Sequence, residues 1–274
     1  MQATRVCVFC GRTGVTREHV IPSWLGTLLR DHHGGDFMWH VLPDPVPPPG
    51  TILPPEAFEG SGPGVQGRIW RAKGTDIVTR RVCDACNFGW LNDLEGAARP
   101  YITSMVEGRK TRLPPAAQTI VAAWAAKTAL MLRFVRQPFH PPNSSDLRHL
   151  RNERKPPSSA TVWLAWHEGG AQAWCQLLRQ QLRPVRQPAV QSFWAEWATL
   201  MFGCLVLQIL QFETAPGPLM LNVSQKDRSF VVRIWPLPGS GAYWPPLRCL
   251  DDQTLATFAS FFRPEVTIPA GFSR

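Results

Sequence analysis

Apolar positions recur along the chain with two periods, and the change from one to the other divides it. A helical spacing of three and four comes first. Trp24, Leu25, Leu28 and Leu29 follow a helix start at Pro22-Ser23 and stop near His32-His33-Gly34-Gly35. Trp90, Leu91, Leu94 and Ala98 predict a second helix after Asn87, which Pro100 is expected to bend or end. The clearest helix follows Pro114-Pro115, with Ile120, Val121, Trp124, Ala125, Thr128, Leu132 and Val135 on one face. Ser144-Ser145-Asp146 can cap a short basic helix, and Asp251-Asp252 a last one carrying Leu255, Phe258, Phe261 and Phe262.

Beyond about residue 158 the pattern turns to strands. Residues 161–166 and 171–178 read as a hairpin turned at Gly169-Gly170, and residues 230–235 as another strand. Residues 197–212 contain no charge and predict a buried strand or pair of strands; Gln208 and Gln211 interrupt a run already too short to favour a membrane span. Near the start, residues 5–15 predict a short strand, a knuckle and a tight turn using Gly11 and Gly14, followed by a strand over 16–20. Residues 68–73 and 77–82 read as a hairpin turned at Gly74-Thr75-Asp76. The Pro/Gly-rich residues 36–67 predict an insertion with little regular structure. The fold class is therefore α+β. Residues 1–112 form an N-terminal unit with that insertion, and residues 113–274 a helical, then β-rich unit of unassigned role.

Cysteine spacing adds chemistry to this outline. Two of the Cys-x-x-Cys type, Cys7/Cys10 and Cys83/Cys86, stand beside three single residues, Cys175, Cys204 and Cys249, expected to be inert. The first residues lack the apolar core of a signal peptide, so a reducing cytoplasm is expected, where such pairs bind metal more often than they form disulfides. Four thiolates in two such turns make the ligand set of a closed tetrahedral zinc site.

The formal charge is +9, and residues 116–190 alone carry ten basic against three acidic residues. That bias suits a surface facing a polyanion. Arg148, Arg151, Arg154 and Lys155 fall at intervals that make a basic helical stripe, suited to phosphate contact. Arg17, Arg80 and Arg81 flank the cysteine region, with one of the last two expected to face a substrate because strand neighbours alternate.

Cys7, Cys10, Glu18, His19, Pro22, Cys83, Cys86 and Asn87, in that order and leading into a helix, resemble the HNH family of ββα-metal (His-Me finger) nucleases. The resemblance covers at most residues 5–95. It implies a zinc-stapled ββα module in which the four cysteines hold structural zinc. It also implies that Glu18 and Asn87 hold a catalytic Mg²⁺ or Mn²⁺ and that His19 is the general base. The implied substrate is DNA, with RNA the lesser alternative. A regulatory protein partner or a second copy of the chain would be the other partners, and no membrane.

The chemistry is coherent. Phosphodiester hydrolysis needs an activated water and neutralisation of charge on the phosphate, which a weakly ligated divalent ion and a histidine supply together. Adjacent strand residues point to opposite sides, so Glu18 and His19 need a twist or bulge, or would contact metal and water from different directions.

Several positions depart from the family pattern. Glu18 stands where Asp is commoner, Trp90 where a Lys commonly follows the helix Asn, and residues 77–82 contain no central Asn. These departures define the first alternative, a catalytically inactive, zinc-stabilised nucleic-acid-binding module. A structural zinc protein that binds another protein is the second.

Overall fold

The computed structural model describes residues 5–33, 37–41, 68–72, 77–136, 141–169, 173–182, 193–213, 220–262 and 264–267. The chain is mixed α/β, and one helix lies at its centre. Helix α3 (Pro115–Arg136) is buried all round from Val121 to Arg133. A helix apolar on every side has no solvent face and must be enclosed. The stretch Val121-Ala-Ala-Trp-Ala-Ala126 has small side chains through which neighbours approach closely.

The described residues include four further α-helices: α1 (Ser23–His33), α2 (Asn92–Val106) and α4 (Ser144–Glu153), which share the core of α3, and α5 (Asp252–Phe261), which belongs to a second core. Pro100 lies inside α2 without ending it, contrary to one of the two expectations from sequence. Asn143, rather than Ser144, caps α4: its side chain accepts from the Ser145 amide at 3.0 Å. Asp251 caps α5 with a reciprocal capping box to Thr254.

A seven-stranded sheet forms the second layer, in the order β11-β6-β9-β8-β7-β2-β3. Its members are β2 (Phe37–Val41), β3 (Arg68–Ala72), β6 (Ala160–Trp166), β7 (Ala173–Leu182), β8 (Phe193–Phe202), β9 (Leu205–Phe212) and β11 (Val231–Trp235). All neighbours are antiparallel except β2 and β7. The uncharged run 197–212 is the β8–β9 hairpin, the pair of buried strands expected. Continuous apolar sequence there reflects cover on both faces. On one face Leu164, Leu200 and Leu207 join the core of α2 and α3, while on the other Trp163 and Trp197 pack edge-on against Phe262 beyond α5.

Three expectations of pairing are corrected. Residues 68–72 do not form a hairpin with the strand that follows; they pair with Phe37–Val41, which is itself a strand inside the proline-rich insertion. The rest of that insertion, residues 36 and 42–67, lies outside the described residues. Residues 161–166 pair with β9 and β11, while β7 pairs with β8. Residues 5–7 form no strand. Period and turn residues report that a segment is extended, but the choice of partner belongs to the whole sheet.

The β8–β9 turn ties the sheet to α2. Gly203 has φ +55°, and the Cys204 amide donates to the Val106 carbonyl at 3.0 Å. A β-carbon at Gly203 would lie 2.7 Å from that carbonyl oxygen. Left-handed backbone strain and a backbone clash then act together, so Gly203→Ala is expected to cost about 1–3 kcal/mol or more, read as a lower urea midpoint.

Candidate metal centre and nucleic-acid interface

Two short antiparallel strands bring the distant cysteines together. Strand β1 (Val15–His19) pairs with β4 (Val78–Cys83), Val15 lying opposite Cys83. The first knuckle closes through Gly11 N–H to the Cys7 carbonyl at 2.8 Å, helped by the positive φ of Gly11. Val8 N–H to the Arg81 carbonyl at 2.9 Å then fastens this knuckle to β4.

The sulfurs of Cys7, Cys10, Cys83 and Cys86 all lie within 4.8 Å of one another, with Cys10 and Cys83 at 3.5 Å. A tetrahedral zinc with bonds near 2.3 Å spaces its sulfurs by about 3.8 Å, so this donor set fits with little movement. The thiols also share protons unevenly. Burial pushes Cys83 upward and Cys86 up to about 12. Burial opposes ionisation of Cys10 too, but bonds from the Arg12 backbone and the other three thiols prevail and lower it to about 7.

Past this cluster, β1 slips register against β4 between Thr16 and Glu18. Beyond the slip Glu18 and His19 are in regular register, opposite Thr79 and Val78, so as strand neighbours they leave β1 on opposite sides and would meet a metal and a water from different directions. Asn87 stands in a π-helical turn, Ala85–Leu91, and its Nδ2 donates to the Arg17 carbonyl at 3.2 Å. The helical segment thus begins before Asn87, and Asn87, within its first turn, touches the backbone just before the Glu-His pair. His19 is half-buried.

Glu18 is buried, and its partner is a residue that sequence reasoning passed over. Lys127 of α3, wholly inaccessible, places its Nζ 3.7 Å from Glu18 Oε1 and 2.7 Å from Glu95 Oε1. Burial raises the Glu18 carboxyl from the ordinary 4.5 to about 7, with Lys127 pulling in the opposite direction. The signal was available: Lys127 is the one charge between residues 116 and 132, in a run otherwise dominated by apolar side chains. A lone charge in such a run must be paired when it is buried.

The expected cationic residues divide into several environments. Arg17, Arg80 and Arg81 are all exposed. Arg81 also lies over the Phe134 ring at 5.5 Å. Arg148 and Lys155 are exposed and Arg151 is half-buried. Arg154 leaves the stripe: it ends α4 in a left-handed conformation and stacks on Trp90 at 4.6 Å, while Phe9 meets the same ring edge-on at 4.9 Å. Trp90 and Leu94 are core residues. The charge bias of residues 116–190 is partly internal, since Lys127, Arg133 and Arg179 are buried. Arg133 and Arg179 bond Glu213 at 3.0 and 2.8 Å.

These features define a mixed α/β protein whose four-cysteine cluster can bind a metal such as zinc. Among the described residues, no helix is long and apolar enough to cross a membrane. No family model, curated protein or solved structure matches the chain.

Proposed function

We propose that the chain is a metal-dependent endonuclease of the HNH type, cutting DNA and, less favourably, RNA. One observation carries this reading: the bond from Asn87 to the Arg17 carbonyl, which holds the Asn87 side chain against the backbone that leads into Glu18-His19. Structural zinc on the four cysteines would hold the β1–β4 strand pair against the π-helical turn.

His19 would take the proton of the attacking water on its imidazole. Exposed Arg17 and Arg80 would hold phosphates of the bound strand. Glu18 and Asn87 would hold a Mg²⁺ or Mn²⁺, which supplies neutralisation of charge at the scissile phosphate. For Glu18 to do so, its carboxylate must exchange its contact with Lys127.

Supercoiled plasmid incubated with Mg²⁺ or Mn²⁺ is expected to be nicked or linearised, and EDTA to stop this. His19→Ala should lower the rate by roughly 100- to 10,000-fold with an unchanged melting temperature. Equal cleavage by the variant would sink the assignment of the base, and a folded, zinc-loaded protein without cleavage would sink the enzyme.

The Lys127 contact favours one other reading. A buried ammonium already balances Glu18, as expected if the acid no longer serves a divalent ion. In that case the chain binds nucleic acid without cutting it, and His19→Ala leaves its salt-dependent affinity unchanged.

A further inference from the structure

The turn that carries Asn87 also presents a bare aromatic ring. Phe88 is 75% exposed, while Trp90, two residues on, is 5% exposed and packs against Phe9. The backbone between them explains the contrast. The π-helical turn breaks at Gly89, whose φ −92° and ψ −115° are not helical, so the two rings leave in different directions. Cys86 holds one end of this short turn and the bond from Asn87 to Arg17 fixes its middle, so Phe88 is presented from a braced backbone.

Its surroundings indicate an occupant. Asn87 binds the backbone of Arg17, whose own side chain is exposed, and Arg80 is exposed on the paired strand. A hydrophobic protein partner would have to cover those charges, whereas a nucleic acid places phosphates against the arginines and a base against the ring. Every base offers a π-face, so such stacking does not depend on sequence.

We infer that Phe88 is a stacking platform for an unpaired nucleobase, and that the preferred ligand is single-stranded or locally opened nucleic acid. This rests on the reading that the chain acts on nucleic acid. A base inside an intact duplex has both faces covered, so the platform discriminates against duplex.

The test uses the full zinc-loaded chain without Mg²⁺ or Mn²⁺, so that binding is read apart from cleavage. Fluorescence anisotropy of a labelled oligodeoxythymidine is compared with that of a duplex, for wild type, Phe88→Ala and Phe88→Tyr. Phe88→Ala should weaken single-strand binding by roughly 5- to 150-fold, leave duplex binding and zinc content unchanged, and be rescued by Phe88→Tyr. Wild-type binding with equal affinity in Phe88→Ala would overturn the platform and leave the nucleic-acid reading standing. Binding of neither oligonucleotide by wild type would remove both. Loss of self-association in Phe88→Ala, with oligonucleotide affinity intact, would assign the ring to a protein contact and overturn the inference.

Discussion

Cys83→Ser is expected to remove one equivalent of zinc per chain and to release the β1–β4 strand pair from the π-helical turn that precedes α2. Cys83 ends β4 and lies opposite Val15 of β1, so its sulfur belongs at once to the cluster and to the strand pairing. The two strands are only five and six residues long, too little to be stable alone. Structural zinc in small zinc-finger peptides contributes an apparent binding free energy of about 10–16 kcal/mol at neutral pH. Only part of that would appear as lost global stability here, because Val20, Ile21 and Val82 also enter the common core. Metal analysis and a melt, with Cys249→Ser as the control, give the result. Full zinc retention in Cys83→Ser would exclude the cluster as the binding site. Zinc must also displace protons from Cys83 and Cys86, whose thiols burial raises, so affinity should fall as pH falls.

Lys127→Met should be the most damaging substitution away from the cysteines. Methionine fills a similar volume but leaves Glu18 and Glu95 without their ammonium. Removing one partner of a buried ion pair costs about 3–5 kcal/mol. A fall of roughly 10 °C in melting temperature should follow, and an unchanged melt would show that Lys127 contributes no net stability.

Glu18 titration gives a second reading of the same contact. Its folded value, about 7, lies above the ordinary 4.5, so its contribution to stability is fully present below 4.5 and lost as pH rises through 7. That loss is about 3 kcal/mol as an order of magnitude. Glu18→Gln does not ionise and should gain on wild type between pH 5 and pH 8 in urea melts made without added magnesium. A constant difference would place the carboxyl at its ordinary value.

What the sequence revealed follows the range over which each cause acts. Cysteine pairs declare themselves locally, and two such pairs in one chain are enough to expect their meeting. Helices α3 and α5 were legible from spacing and from Asp251, whose cap is a contact within four residues. That Glu18 and His19 leave β1 on opposite sides followed from strand geometry alone. The pairing of Phe37–Val41 with Arg68–Ala72 was hidden, because neither five-residue segment specifies a partner and twenty-six residues separate them. Lys127 was hidden for another reason. A single amphipathic face was sought on α3, whereas the helix is enclosed on all sides, and only enclosure turns that lysine into a partner for Glu18. Arg154 fitted the spacing of a basic stripe, but the helix ends at Glu153, and the left-handed residue after it turns toward Trp90.

The position of Lys127 also sets an order of events during synthesis. Chains emerge from the N-terminus, so the four-cysteine set that can bind a metal is complete once Cys86 has been made, while the cation that pairs with Glu18 arrives only with α3. Strand β2 waits longer still, for its parallel neighbour β7. A nascent chain can therefore capture its metal while Glu18 still faces water. Burial of that acid marks the later moment at which the two halves of the polypeptide close on each other.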